Sequence, residues 1–448
     1  MWGLRMRYRR LWAAAGVTAF VLVWAPAHLP SATAHDAPPQ PASGTNPSDL
    51  YDKARALDSD QPPEVAQDGF ATGRREAGTN CQPLVPLDAA APSDKFICLD
   101  VSQLDQSISP QPVLPPGAPS RDNASAPNTT LSAPIRPVPL WCELNQQIRK
   151  RFEQCTAYAL TVTIGSGSTV TGTSSQLVAD YSYTSNSDVA VNDQLLVSAT
   201  TIVGTAAGIS VKAEPVCLTC TGNAAGFTSG PMVIGQNYES VFEITPPQLA
   251  VGAQRLTLHR WELFWTVPGY APYASPYNAF SNVVRCDNTL TGKPPGCAYI
   301  QYNPTLSYSL TGPVAEVASH VQRAQISGLP GSGIYPSARL TRTTDPVLIA
   351  ANRRVVCPPN VPVRPIGKTC DEYPFASTRE GGSLSGGTVR TFSGCSIPGD
   401  PVNVTGPTGF SRCMVSGKQN SLAGSQLGSF YYSQRVINYD EFIVAVLP

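Results

Sequence analysis

Histidine is scarce in this chain, with four in 448 residues: His28, His35, His259 and His320. No cluster of imidazoles can hold zinc in the C-terminal part, because both later histidines lie before its basic stretch, which begins at Val321. Charge is thin as well: Asp, Glu, Lys and Arg make up 14 %, with 31 basic against 31 acidic residues. That balance excludes a polybasic binder and leaves little material for salt-bridged helices or a coiled coil. No Gly-x-Ser-x-Gly elbow is present, and no histidine accompanies the C-terminal serines, so Ser-His-Asp hydrolysis is disfavoured. Gly165-Ser166-Gly167 and Gly172 are not followed by Gly-Lys-Ser/Thr and read as turn glycines, not a phosphate loop. After the N-terminus no apolar run reaches the ~20 residues of a spanning helix.

What is abundant points to a turn-rich, exported chain. There are 43 Pro and 36 Gly, and a hydrophobic content of 42 % is enough to build cores in a chain this long. Arg5, Arg7, Arg9 and Arg10 precede the apolar run Leu11 to Ala25, and Ala32-Thr33-Ala34 offers a cleavage site, so residues 1–34 are expected to be a secretory signal peptide. Without it the chain carries 27 basic and 31 acidic residues, a balance of −4. A secreted, extracellular protein without stable membrane insertion is the expectation. Twelve Cys in an oxidising compartment then predict six disulfides. Nearest-neighbour pairing would join Cys81–Cys98, Cys142–Cys155, Cys217–Cys220, Cys286–Cys297, Cys357–Cys370 and Cys395–Cys413, although sequence does not fix connectivity. Cys217-Leu218-Thr219-Cys220 reads as a turn-closing disulfide, since no second such motif follows.

Residues 35–140 are expected to be a flexible Pro- and Ala-rich region, with a weak helical stretch near Leu50 to Leu57, a Pro-rich run from Pro110 to Pro139 and a small Cys-stapled element at Cys81–Cys98. Residues 141–310 alternate apolar and polar side chains in short runs, such as Tyr158 to Ile164, Gln194 to Ala199 and Arg255 to Trp265. They predict an all-β, sandwich-like middle region in which His259, beside Trp261, is a hydrogen-bonded sheet histidine. Residues 320–448 differ in texture. A helix is predicted from Pro346 to Arg354, capped by Thr344 or Asp345, and another from Leu422 to Arg435. Strands are predicted at Thr388–Phe392, Ser411–Val415 and Glu441–Val446. From Val321 onward there are 12 basic and 7 acidic residues, a weak pointer to a polyanion.

The densest constellation is Cys370-Asp371-Glu372-Tyr373-Pro374-Phe375-Ala376, followed by Glu380-Gly381-Gly382. This block, with the upstream pair Arg353-Arg354 and Asn420 before Ala423-Gly424-Ser425, resembles the NucA/NucB deoxyribonuclease family over the last quarter of the chain. The resemblance implies a C-terminal α+β domain of ββα-metal nuclease type, DNA as substrate and a divalent ion, Mg2+ or Mn2+. It further implies sequence-nonspecific endonuclease cleavage with Asp371 as general base, in the place where most such nucleases use a histidine. An ordinary Asp is a feeble base, so its site is expected to raise its pKa by burial against Tyr373 and Phe375.

Glu372 is the supporting acid. On an extended strand it should face away from Asp371, and an internal ion pair with Arg353 or Arg354 is its alternative role. Arg353, Arg354 and Lys418 are the candidates for phosphate contact. Asn420, expected on the loop entering the last helix, is the candidate metal ligand, with a helix cap as its alternative. The acid that some family members carry about ten positions further on is absent here. A noncatalytic secreted surface or cell-wall binding protein with a degenerate module, and a ribonuclease, remain the competing readings.

Overall fold

In a computed structural model, the described residues are 81–88, 93–102 and 135–448, apart from 225, 247, 276–278, 281–282, 333–338, 360–363 and 403. The expected signal peptide, the stretch near Leu50 to Leu57 and most of the Pro-rich run lie outside them. The chain is mostly β-sheet with few helices. The three long strands Glu153–Ser166, Thr169–Ser185 and Asp188–Gly204 pair antiparallel in succession and form the middle of an eight-stranded sheet. The element stapled by Cys81–Cys98 is not separate from this sheet. Lys95–Ser102 pairs along Glu153–Ser166, because its alternation turns Ile97 and Leu99 into the core.

The predicted run Arg255 to Trp265 divides at Leu258. Gln254–Thr257 joins a three-stranded sheet, whereas His259–Thr266 enters a five-stranded one with alternate residues buried. Trp261, Leu263 and Trp265 from the latter share one apolar cluster with Tyr158, Val178 and Val197 of the large sheet. Trp265 Nε1 donates to Gln176 Oε1 across the gap at 2.8 Å. His259 is wholly buried, with Nε2 3.0 Å from Asp193 Oδ2, and burial lowers its pKa to about 4.

Strand pairing carries Thr305–Ser309 into the C-terminal part, where it runs parallel to Glu441–Leu447. Helices α1 (Ala315–Ile326), α2 (Pro346–Val356) and α3 (Gly417–Ser433) surround the antiparallel pair Lys368–Tyr373 and Phe410–Ser416. Asp345 caps α2 by accepting from Val347 N at 2.8 Å, with Pro346 at the first helical position. A separate apolar cluster, including Val317, Val321, Tyr373, Val415 and Phe442, fills the space between these elements.

A buried charge network joins the two parts. Arg151 Nη2 and Arg285 Nη1 both reach the Asp440 carboxylate, the former at 2.9 Å. Arg435 closes on Asp287 with Nη2 2.8 Å from Oδ1. Burial alone would push the Asp440 carboxyl up, yet Arg285 and Arg151 hold it below the usual carboxylate range. All six expected cysteine pairs are bonded, including Cys217–Cys220.

Candidate active site

Helix α2 sets the site. Its buried Asn352 donates from Nδ2 to Ala376 O at 2.8 Å and Thr378 O at 3.0 Å, and its Oδ1 accepts from Ser383 N at 3.0 Å. The loop after Tyr373 is thereby drawn against the helix. Approach there is so close that a Cβ on Gly381 would lie 2.3 Å from Asn352 Nδ2, which is the physical reason for glycine in Glu380-Gly381-Gly382. The last residue of α2 leads into Cys357, whose disulfide to Cys370 ties the helix end to the strand position just before Asp371. On the neighbouring strand Cys413 stands opposite Asp371 and is bonded to Cys395. Two covalent staples therefore flank the carboxylate.

Helix α3 starts directly after the Phe410–Ser416 strand, with Ser416 as its N-cap residue. Asn420 is thus inside the first turns of the helix, not on the entering loop and not its cap. Its Nδ2 donates to Thr369 Oγ1 and Cys370 O, both at 3.1 Å, so these bonds leave Oδ1 uncommitted. Further along, Ala423 and Gly424 keep this face of the helix low.

Asp371, Glu372, Arg353 and Asn420 line one cavity of about 350 Å3, together with Tyr308 and Phe375. Although strand neighbours point to opposite faces, both acids reach this cavity. Glu372 lies next to the strand end, where the cavity extends toward α2 and Arg353 Nε stands 4.0 Å from Glu372 Oε1. That is the internal pair expected for Glu372, but a loose one, and Arg353 remains 69 % exposed. The Glu372 carboxyl is pushed up to about 7 by burial and by Asp371, with Arg353 opposing. Arg354 and Lys418 are exposed and do not line the cavity.

Helix α1 supplies the group that sequence reasoning missed. His320 is fully buried, with Nδ1 2.6 Å from Asp371 Oδ2 and Nε2 3.0 Å from Ser411 Oγ. Two expectations are corrected by this geometry: a histidine does stand beside Asp371, and a base does stand beside a C-terminal serine. The reason is that α1 packs on both central strands, although it lies about fifty residues upstream of the motif. The apolar spacing Val314, Val317, Ala318, Val321 and Ala324 was the readable signal for that helix. Ser411 is itself fully buried and stands away from the cavity lining, so the serine beside His320 is not presented there as a nucleophile.

The chain's last quarter now has a family as well as a geometry. Residues 349–445 match the Deoxyribonuclease NucA/NucB family model. No curated protein matches the chain, and no solved structure does. The matched NucA/NucB segment contains Arg353, Asp371, Glu372 and Asn420, and implies a deoxyribonuclease. It begins after α1, so His320 lies outside it.

Three of the twelve basic residues from Val321 onward are internal. Arg390 and Arg435 are fully buried, and Arg412 is clamped by Asp400 with Nη2 2.7 Å from Oδ1. Among the described residues no group of three or more His, Cys, Asp or Glu could hold a metal ion, and no helix is long and apolar enough to cross a membrane.

Proposed function

We propose that this protein is a secreted, metal-dependent endonuclease that hydrolyses DNA phosphodiester bonds without sequence preference, from a C-terminal domain of ββα-metal type. What carries the reading is the convergence of Asp371, Glu372, Asn420 and Arg353 on one cavity inside the NucA/NucB segment. The donor set suits a hard divalent cation such as Mg2+ or Mn2+: two carboxylates and an amide oxygen, with no imidazole on the lining and its two cysteines, Cys357 and Cys370, tied up in a disulfide. Repulsion between Asp371 and Glu372 in a desolvated site is also what a cation would relieve. Asn420 would hold the ion, with water completing its shell. When bound, the ion supplies charge neutralisation at the phosphoryl oxygens and at the leaving 3′-oxygen.

Asp371 does the proton chemistry. Its carboxylate takes a proton from the attacking water as the new P–O bond forms and the bond to the 3′-oxygen breaks. Arg353, exposed at the cavity edge, is placed to meet a phosphate of the strand. Phosphate contacts read no bases, hence cleavage without sequence preference. Export is supported by the Arg-led apolar N-terminus and by the six disulfides, which persist in oxidising surroundings. Supercoiled plasmid should be degraded with Mg2+ or Mn2+, and protected both by a chelator and by Asp371→Ala. Binding without strand cleavage, insensitive to chelator, would instead favour a noncatalytic recognition module. Faster digestion of RNA than DNA would reassign the substrate.

A further inference from the structure

We propose that His320 is a positioning residue for the Asp371 base, acting from a helix outside the NucA/NucB segment; this rests on the nuclease reading above. The geometry has three parts. His320 Nδ1 lies 2.6 Å from Asp371 Oδ2, a short contact in which an N–H donates to the carboxylate. The far nitrogen, Nε2, is held 3.0 Å from Ser411 Oγ, and that hydroxyl also reaches Tyr373 O at 3.3 Å. The imidazole is therefore fixed at both ends, and the Phe392 ring packs beside it, tilted, with centroids 6.1 Å apart. The ring itself is 0 % exposed and does not line the cavity, so it cannot touch a substrate there.

The consequence is a division of labour between the two carboxylate oxygens. Oδ2 is committed to His320, which leaves Oδ1 as the basic atom for cavity water. A carboxylate free to rotate would present either oxygen, in several orientations, and misplacement of a base by ~1 Å costs about 100-fold in rate. His320 fixes that rotation without contacting the reaction. The ordinary alternative is a core histidine that merely satisfies its hydrogen bonds. It differs in its forecast: substitution would then lower stability and leave the turnover of folded protein intact.

The experiment compares full-length wild type, His320→Leu and His320→Asn on plasmid DNA with Mn2+, with a thermal melt of each. Leucine fills similar volume without a donor, whereas the asparagine amide can place an N–H near the position of Nδ1. The proposal expects His320→Leu to lose about 100-fold in kcat with KM within twofold, and His320→Asn to recover at least about tenfold of that loss. Wild-type turnover by folded His320→Leu would overturn it, as would a folded His320→Asn no faster than His320→Leu. If wild type itself does not cut DNA, the nuclease reading fails and the proposal falls with it, a result distinct from both. Should His320→Leu not fold, the ring proton decides. A far-downfield His320 Nδ1 proton resonance that is present in wild type and lost in Asp371→Ala supports the contact, and its absence from wild type overturns it.

Discussion

Burial in the cavity wall, with Asp371 alongside, pushes the Glu372 carboxyl up to about 7 from an ordinary 4.5. A carboxyl raised in this way favours the folded state while protonated, so its contribution is complete below about pH 4.5 and is lost as pH rises through about 7. Glu372→Gln should therefore stabilise the chelator-treated protein at pH 8, by up to about 3 kcal/mol, and change little at pH 4. Urea unfolding at the two pH values checks this, and equal effects at both would remove the argument. The same residue shows how far the sequence could be read. Asp371, Glu372, Arg353 and Asn420 were legible as a set because a family motif names residue types at fixed spacing. Which of them share a cavity was not, since strand alternation predicted opposite faces and the strand end broke that rule. His320 was illegible for another reason: its partner lies 51 positions away, and no local pattern encodes such a contact.

Helix α3 presents a glycine to the cavity at position 424, where an added Cβ would meet no atom within 4 Å. Gly424→Ala should accordingly fold well and gain up to about 1 kcal/mol from helix propensity. Gly424→Trp should fold as well but fill the cavity and abolish cleavage, and unaltered plasmid degradation by that variant would place the substrate elsewhere. In helix α2 the decisive residue is Asn352, whose amide holds two loop carbonyls and one loop N–H. Asn352→Ala would strand those groups in the interior and cost about 2 kcal/mol or more, measured by thermal or urea unfolding. Helices α2 and α3 and the C-terminal strands were readable from caps, prolines and apolar spacing. Helix α1 was not predicted, because its Val- and Ala-based stripe is weak and it straddles position 320, where the C-terminal region was set to begin.

At the scale of the molecule, the C-terminal part is not held by its own core alone. Arg151 and Arg285 from the β-rich region both end on Asp440, and Arg435 ends on Asp287, all with little or no exposure. Removing one member leaves the others charged and buried, which typically costs about 3–5 kcal/mol. Asp440→Ala should lower the free energy of unfolding by that amount, and a fragment beginning at Thr305 should melt well below the full chain. A fragment as stable as the whole would show the network to be incidental. The β-sheet character of 141–310 was visible in alternation, and nearest-neighbour cysteine pairing succeeded where hairpins set the partners face to face, as in the registers Cys81↔Cys98 and Cys286↔Cys297. The network was not visible, since its members are scattered from Arg151 to Asp440 and only the folded chain gathers them.

The central claim is that one carboxylate on the Lys368–Tyr373 strand abstracts the proton of the hydrolytic water. The most direct measurement is single-turnover cleavage of a short DNA duplex in Mn2+ by wild type and by Asp371→Asn, which keeps the side chain's size and removes its basicity. The account predicts a loss of about 100-fold to 10,000-fold with DNA affinity retained. Cleavage by Asp371→Asn at the wild-type rate would contradict it.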